Sequence, residues 1–137
     1  MKSEMVLLAA VALTGFMPGR ILAQAAPDAK IQRGKYLVEN VAMCGECHTP
    51  RNAKGELDHS AWLQGNLIDF KPDPPRDYAS VAPPIAGMPG FTDEKGVTFL
   101  ETGIDATGKK AQWPMPQFRF NHDDAVAVVA YLRSLKP

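Results

Sequence analysis

The sequence is short of the features that mark several large classes of protein. It has 137 residues, two cysteines and three histidines. Two cysteines exclude a multi-disulfide scaffold. Lys plus Arg and Asp plus Glu each number 15, so neither sign is in surplus. That balance excludes a basic nucleic-acid binder, whose affinity needs surplus Lys and Arg. It also excludes an acidic disordered chain. Without net charge, long-range steering is weak and any partner reads a local patch. No acid–base pair stands out as catalytic machinery. The longest uncharged apolar run, Val6–Gly19, falls short of the roughly 20 residues a helix needs to cross a bilayer. The length is that of one domain.

What is present begins with that short run. Lys2 precedes it, Pro18-Gly19 ends it, and Ala23-Gln24-Ala25 offers small residues at −3 and −1 of a cut. This is the three-part pattern of a secretory signal. The expectation is a signal peptide over residues 1–25, cleaved after Ala25, and one domain over 26–137. The compartment is then extracytoplasmic and oxidising, a bacterial periplasm. An uncleaved membrane anchor is the alternative.

The domain reads as all-α. A helix is expected over 28–43, with Asp28 as N-cap and Ile31, Gly34, Leu37, Val38 and Val41 on one face. Gly34 within that stripe asks for a close helix crossing. A second helix is expected over 93–102, capped by Thr92 and stopped by Gly103, with Val97, Leu100 and Ile104 inward. A third is expected over 122–135, capped by Asn121, with Asp123 and Asp124 complementing the dipole. Its stripe is Val128, Tyr131, Leu132 and Leu135. Between the first two helices, residues 50–91 carry seven prolines and weak periodicity, with a short helix expected at Ser60–Leu67. A loop of that length needs a reason. Trp62, Leu63, Leu67, Ile68, Phe70, Tyr78, Val81 and Ile85 make it too apolar for a solvated linker. It is expected to pack on a bulky apolar cofactor.

Cys44-Gly45-Glu46-Cys47-His48 is C-x-x-C-H, the pattern of covalent haem attachment. Two thiols at this spacing reach the two vinyl groups on one porphyrin edge. The adjacent imidazole then points Nε2 at the iron. A thioredoxin-like motif wants a βαβ context that is not visible here. Structural zinc wants four ligands. A plain disulfide leaves His48 and the long loop unexplained. The expected cofactor is one haem c, held by Cys44 and Cys47, with His48 as proximal ligand.

The opposite face of the iron has five candidates: Met43, Met88, Met115, His59 and His122. Met43 adjoins Cys44 and cannot reach that face. Met115, in Pro114-Met115-Pro116, is favoured, because flanking prolines hold a thioether in place with little ordering cost. Met88, before Pro89, is the alternative, and an open iron is a further one.

Residues Ile31 to His48, then Trp113-Pro114-Met115-Pro116-Gln117-Phe118, then Asp123 to Leu135 together resemble a single-haem class I c-type cytochrome. The stretch Cys47-His48-Thr49-Pro50-Arg51 with the later Trp62-Leu63-x-Gly65 is similar to cytochrome subunits of periplasmic alcohol and aldehyde dehydrogenases. Those subunits often carry several haems on longer chains, whereas this chain has one motif. The resemblance implies a cytochrome c fold in which the first and last helices cross near a right angle, at Gly34 and Tyr131. It implies an electron-transfer protein rather than an enzyme. The donor would be a periplasmic dehydrogenase or reductase complex, and the acceptor an oxidase or another cytochrome. A fixed subunit of a dehydrogenase complex and a haem-based small-molecule binder are the alternatives. No nucleic acid is implied, and a membrane only if the signal stays uncleaved.

Overall fold

The computed structural model describes residues 21–137, of which 21–27 are described as helical backbone only. Residues 1–20, which hold most of the expected signal, lie outside the described residues. Among the described residues no helix is long and apolar enough to cross a membrane.

Four α-helices set the architecture: α1 (Ile21–Tyr36), α2 (Gly45–His48), α3 (Asp93–Thr102) and α4 (His122–Ser134). A two-stranded antiparallel hairpin joins β1 (Asn66–Leu67) to β2 (Val81–Ala82), with Asn66 opposite Ala82 and Leu67 opposite Val81. The fold is mostly helical, as expected, with this small sheet added. The expected helix at Ser60–Leu67 is replaced by a 3₁₀ turn at His59–Ala61 and the first strand. The Asp58 carboxylate caps that turn by accepting from the Ser60 N–H.

The end of the first helix departs from the sequence pattern. Asp28 lies inside α1 rather than at its cap. The helix does not run to residue 43; it widens into a π turn over Leu37–Val41. Ala42 N–H donates to the Leu37 carbonyl at 2.7 Å, and Cys44 N–H to the Val38 carbonyl at 2.9 Å. A π turn carries an extra residue, so the i, i+3, i+4 rule fails beyond it. Leu37 and Val38 are buried, whereas Val41, expected inward, is exposed.

The α3 and α4 boundaries follow their caps. Thr92 Oγ1 accepts from the Lys95 N–H at 3.3 Å, and Asn121 Oδ1 accepts from the Asp124 N–H at 2.9 Å. Gly103 ends α3 in the left-handed conformation (φ 68°), which glycine adopts without steric cost. Ile104, just beyond that stop, is exposed instead of joining the core. Leu135 is partly buried, one residue past α4.

α4 is the centre of the core. Ala125, Val128, Val129, Tyr131 and Leu132 are buried between α1 and α3. The α1–α4 crossing is where the sequence placed it. A Cβ on Gly34 would lie 1.9 Å from the Ala127 carbonyl oxygen and 2.8 Å from Tyr131 Cβ. The first contact is with backbone, which cannot swing aside. Gly34→Ala is therefore expected to destabilise by about 3 kcal/mol or more, at the top of the overpacking range. A denaturant melt of the haem-loaded variant checks this, and a gain in stability would contradict it.

Beside that crossing, the Arg33 guanidinium binds the Asp124 carboxylate through two hydrogen bonds, at 2.8 and 3.1 Å. Dipole complementation is thus not the whole role of Asp124; it ties α4 to α1. Arg33 holds this carboxyl below its ordinary value, with Asn121 adding a further hydrogen bond. A carboxyl depressed on folding contributes stability that is complete above its unfolded value, about 4. That contribution is lost as pH falls through the folded value. Asp124→Asn is expected to be less stable than the parent at pH 7, with the gap closing in acid. Parallel melts at pH 7 and 3 check this, and a constant gap would contradict it.

Arg133, near the end of α4, does more than complement the dipole. Its guanidinium binds Asp93 at 2.7 Å and donates to the carbonyls of Gly87 and Phe91. It thereby clamps the turn that leads into α3.

Candidate functional site

The chemistry-bearing motif forms a single tight turn. Met43, in a left-handed conformation (φ 49°), reverses the chain after the π turn. Cys44 then caps α2, whose last residue is His48. The turn is closed by His48 N–H donating to the Cys44 carbonyl at 3.0 Å and Thr49 N–H donating to the Gly45 carbonyl at 3.1 Å. Cys44 and Cys47 are both free thiols, partly accessible. Burial pushes the Cys44 thiol up to about 11, so it is protonated at neutral pH.

His48 is buried, and its Nδ1 lies 2.7 Å from the Pro83 carbonyl oxygen. A carbonyl can only accept, so Nδ1 carries the proton. Nε2 is left with its lone pair free. Burial lowers the His48 pKa, an effect that the Pro83 hydrogen bond partly opposes. The imidazole is therefore neutral at pH 7 and oriented, the form in which histidine binds metal.

The long loop builds the floor under this turn. Thr49, fully buried, accepts from the Leu63 N–H at 3.0 Å through Oγ1. The Leu63 carbonyl accepts from Ile85 and Ala86, and the His48 carbonyl from Gly65. Pro83 is thus held opposite the imidazole by the segment that β2 feeds. The Trp62 ring lies where a Cβ on Gly45 would stand, 2.2 Å from Cη2, so the residue after Cys44 has no room for a side chain. His59 stacks on Trp62 at 5.4 Å. The indole N–H is buried without a hydrogen-bond partner. Tyr131 donates to Glu39 on the π turn, and burial together with that bond pushes the phenol up to about 12.

The sequence-predicted ligands fall into separate places. Cys44, Cys47 and His48 share one turn. Met88 is buried in the helix core, where its Cε would lie 2.5 Å from a Cβ on Gly96. Met115 stands on the loop between α3 and α4, half-buried and outside the core cluster. His122 pairs with Glu101 at 2.8 Å on the surface. Arg51, which follows the motif, is engaged by Glu46 and the Gly55 carbonyl. Trp62 was expected only as one of the apolar loop residues against the cofactor; Pro83 and Thr49 carry no expected role from the sequence. Thr49-Pro50 beside the motif and Trp62-Leu63 in the loop were the available signals.

The donor set fits a covalently held haem better than its rivals. Two free thiols and an imidazole with a free Nε2 lie on one turn. Among the described residues, no group of three or more His, Cys, Asp or Glu could hold an ion as structural zinc requires. The short turn follows a helix, not a strand, which leaves no βαβ setting for a redox C-x-x-C.

A helical fold with a thiol–thiol–imidazole turn of this kind defines a c-type haem protein. The chain belongs to the cytochrome c family, whose family model matches residues 31–136. Its spacing of Cys44 and Cys47 fits covalent attachment of haem c. Among named relatives, the fructose dehydrogenase cytochrome subunit of Gluconobacter japonicus is 37% identical over 109 residues, covering 75% of this chain and 21% of that protein. The cytochrome c subunit of the quinone alcohol dehydrogenase of Gluconacetobacter polyoxogenes is 32% identical over 130 residues, covering 80% of this chain and 25% of that protein. The chain thus spans a fifth to a quarter of the length of these two relatives.

Proposed function

We propose that this chain is an exported, single-haem cytochrome whose iron is held by His48 and Met115 and which passes single electrons between redox partners in the periplasm. The observation that carries the reading is the Pro83 carbonyl on His48 Nδ1, which leaves Nε2 for iron. Bound haem supplies the one-electron couple. Cys44 and Cys47 tether it, and His48 is held to one tautomer and one orientation by Pro83. Met115 supplies the thioether that raises the potential. Met88 is committed to the core, which favours Met115 over it. The apolar loop over 50–91, which already bonds to the His48 turn through Leu63, Gly65 and Pro83, would cover bound haem and limit its access to water. The signal over 1–25 delivers the chain to the compartment.

The relatives' names favour a dehydrogenase as electron donor, with an oxidase or another cytochrome as acceptor. A fixed subunit of such a dehydrogenase is the second reading, and co-purification at constant stoichiometry separates it from a free carrier. The first reading is tested by export in a haem-attaching host. The expected product has the mass of the chain after Ala25 plus one haem and titrates as one reversible one-electron couple. A product without haem, or a second haem, would contradict it.

A further inference from the structure

Four residues of one loop converge on a single tryptophan two residues before Met115. The loop Ile68–Ser80 is pinched at its base, where Ile68 N–H donates to the Ser80 carbonyl at 2.9 Å. From it, Phe70 meets the Trp113 ring edge-on at 5.7 Å, and Tyr78 does so at 6.5 Å. Arg76 places its guanidinium 5.3 Å from the ring centre. Ala79 N–H donates to the Trp113 carbonyl at 2.7 Å. On the other side of Met115, Phe118 stacks on Phe120 at 5.3 Å, and Phe120 N–H donates to the Leu100 carbonyl at 3.2 Å. Met115 therefore sits on a short span between two anchored rings, and Pro114 and Pro116 fix two of its φ angles.

We propose that the Phe70–Arg76–Tyr78 cluster on Trp113 positions Met115 and sets how firmly its sulfur holds the iron; the proposal rests on the Met115 reading above. The ring is the joint by which the long loop is fastened to the ligand loop. Trp113 and Arg76 are positioning residues, since neither supplies a ligand atom. Release of the thioether requires the span to move outward. Fastening one end to a pinched loop raises the barrier to that movement.

The test uses the ferric haem-loaded protein with imidazole as the incoming ligand. Displacement of the thioether is followed by loss of the far-red sulfur-to-iron band. Trp113→Leu removes two aromatic contacts and the cation contact, and is expected to speed displacement on the order of tenfold or more. Arg76→Gln removes the cation alone and is expected to speed it about two- to fivefold. Trp113→Phe keeps a ring and is expected to stay near the parent rate. Arg133→Gln, which loosens a remote turn, is expected to lower the melting temperature without changing the displacement rate. A parent-like rate in both Trp113→Leu and Arg76→Gln, with the band present, would overturn this inference and leave Met115 as the ligand. An equal acceleration in Arg133→Gln would overturn it as general softening. Absence of the band from the parent protein would overturn the Met115 reading itself, and this inference with it.

Discussion

His48→Ala is expected to abolish stable haem-loaded protein. The imidazole is buried and its Nδ1 is spoken for by Pro83. Removing it leaves that carbonyl without its partner, a small cost because Pro83 is exposed and water can replace the lost bond. The larger loss is the iron ligand. Ligation organises a small domain because the site does not exist in the unfolded chain, so losing the ligand is a folding defect as well. The residues here make that coupling concrete: Pro83, Leu63, Gly65 and Thr49 all bond to the turn that His48 ends. Haem absorbance per exported polypeptide checks this. Yield and spectrum equal to the parent would remove His48 as the proximal ligand.

Met115→Ala is expected to fold and to change the iron. The variant keeps both thioethers and the His48 ligand. It loses the far-red sulfur-to-iron band, turns high-spin, falls sharply in potential and binds carbon monoxide rapidly when reduced. The direction of the potential follows from methionine ligation, which raises it. Met88→Ala is the contrast. It empties a core position beside Gly96 and is expected to cost about 2–5 kcal/mol of stability, with the low-spin spectrum retained. The reverse outcome, an intact band in Met115→Ala and a lost one in Met88→Ala, would exchange the two roles.

These effects show which parts of the molecule were legible in the sequence. The caps of α3 and α4 were readable because their chemistry is local: Thr92, Asn121 and Gly103 each act within one turn, whereas Asp28, the expected cap of the first helix, lies inside it. The crossing at Gly34 was readable because a glycine in an apolar stripe has few other uses. The register after Leu37 was not, because a π turn is set by tertiary contacts. Here those are the burial of Leu37 and Val38 together and the reach of Glu39 to Tyr131. The thiols and imidazole announced themselves by spacing. Pro83, 35 residues from His48, did not, because the carbonyl that orients the ring belongs to the backbone and leaves no mark in residue type. The cluster on Trp113 was hidden for a related reason: it joins two segments that have no periodicity.

The most direct measurement is the absorption spectrum of the exported protein, oxidised and then reduced. A sharp low-spin c-type spectrum with the far-red sulfur-to-iron band is predicted, as one haem tethered through Cys44 and Cys47 and ligated by His48 and Met115 would give. A protein that leaves the cell without haem would contradict the account at its root, whatever the fold.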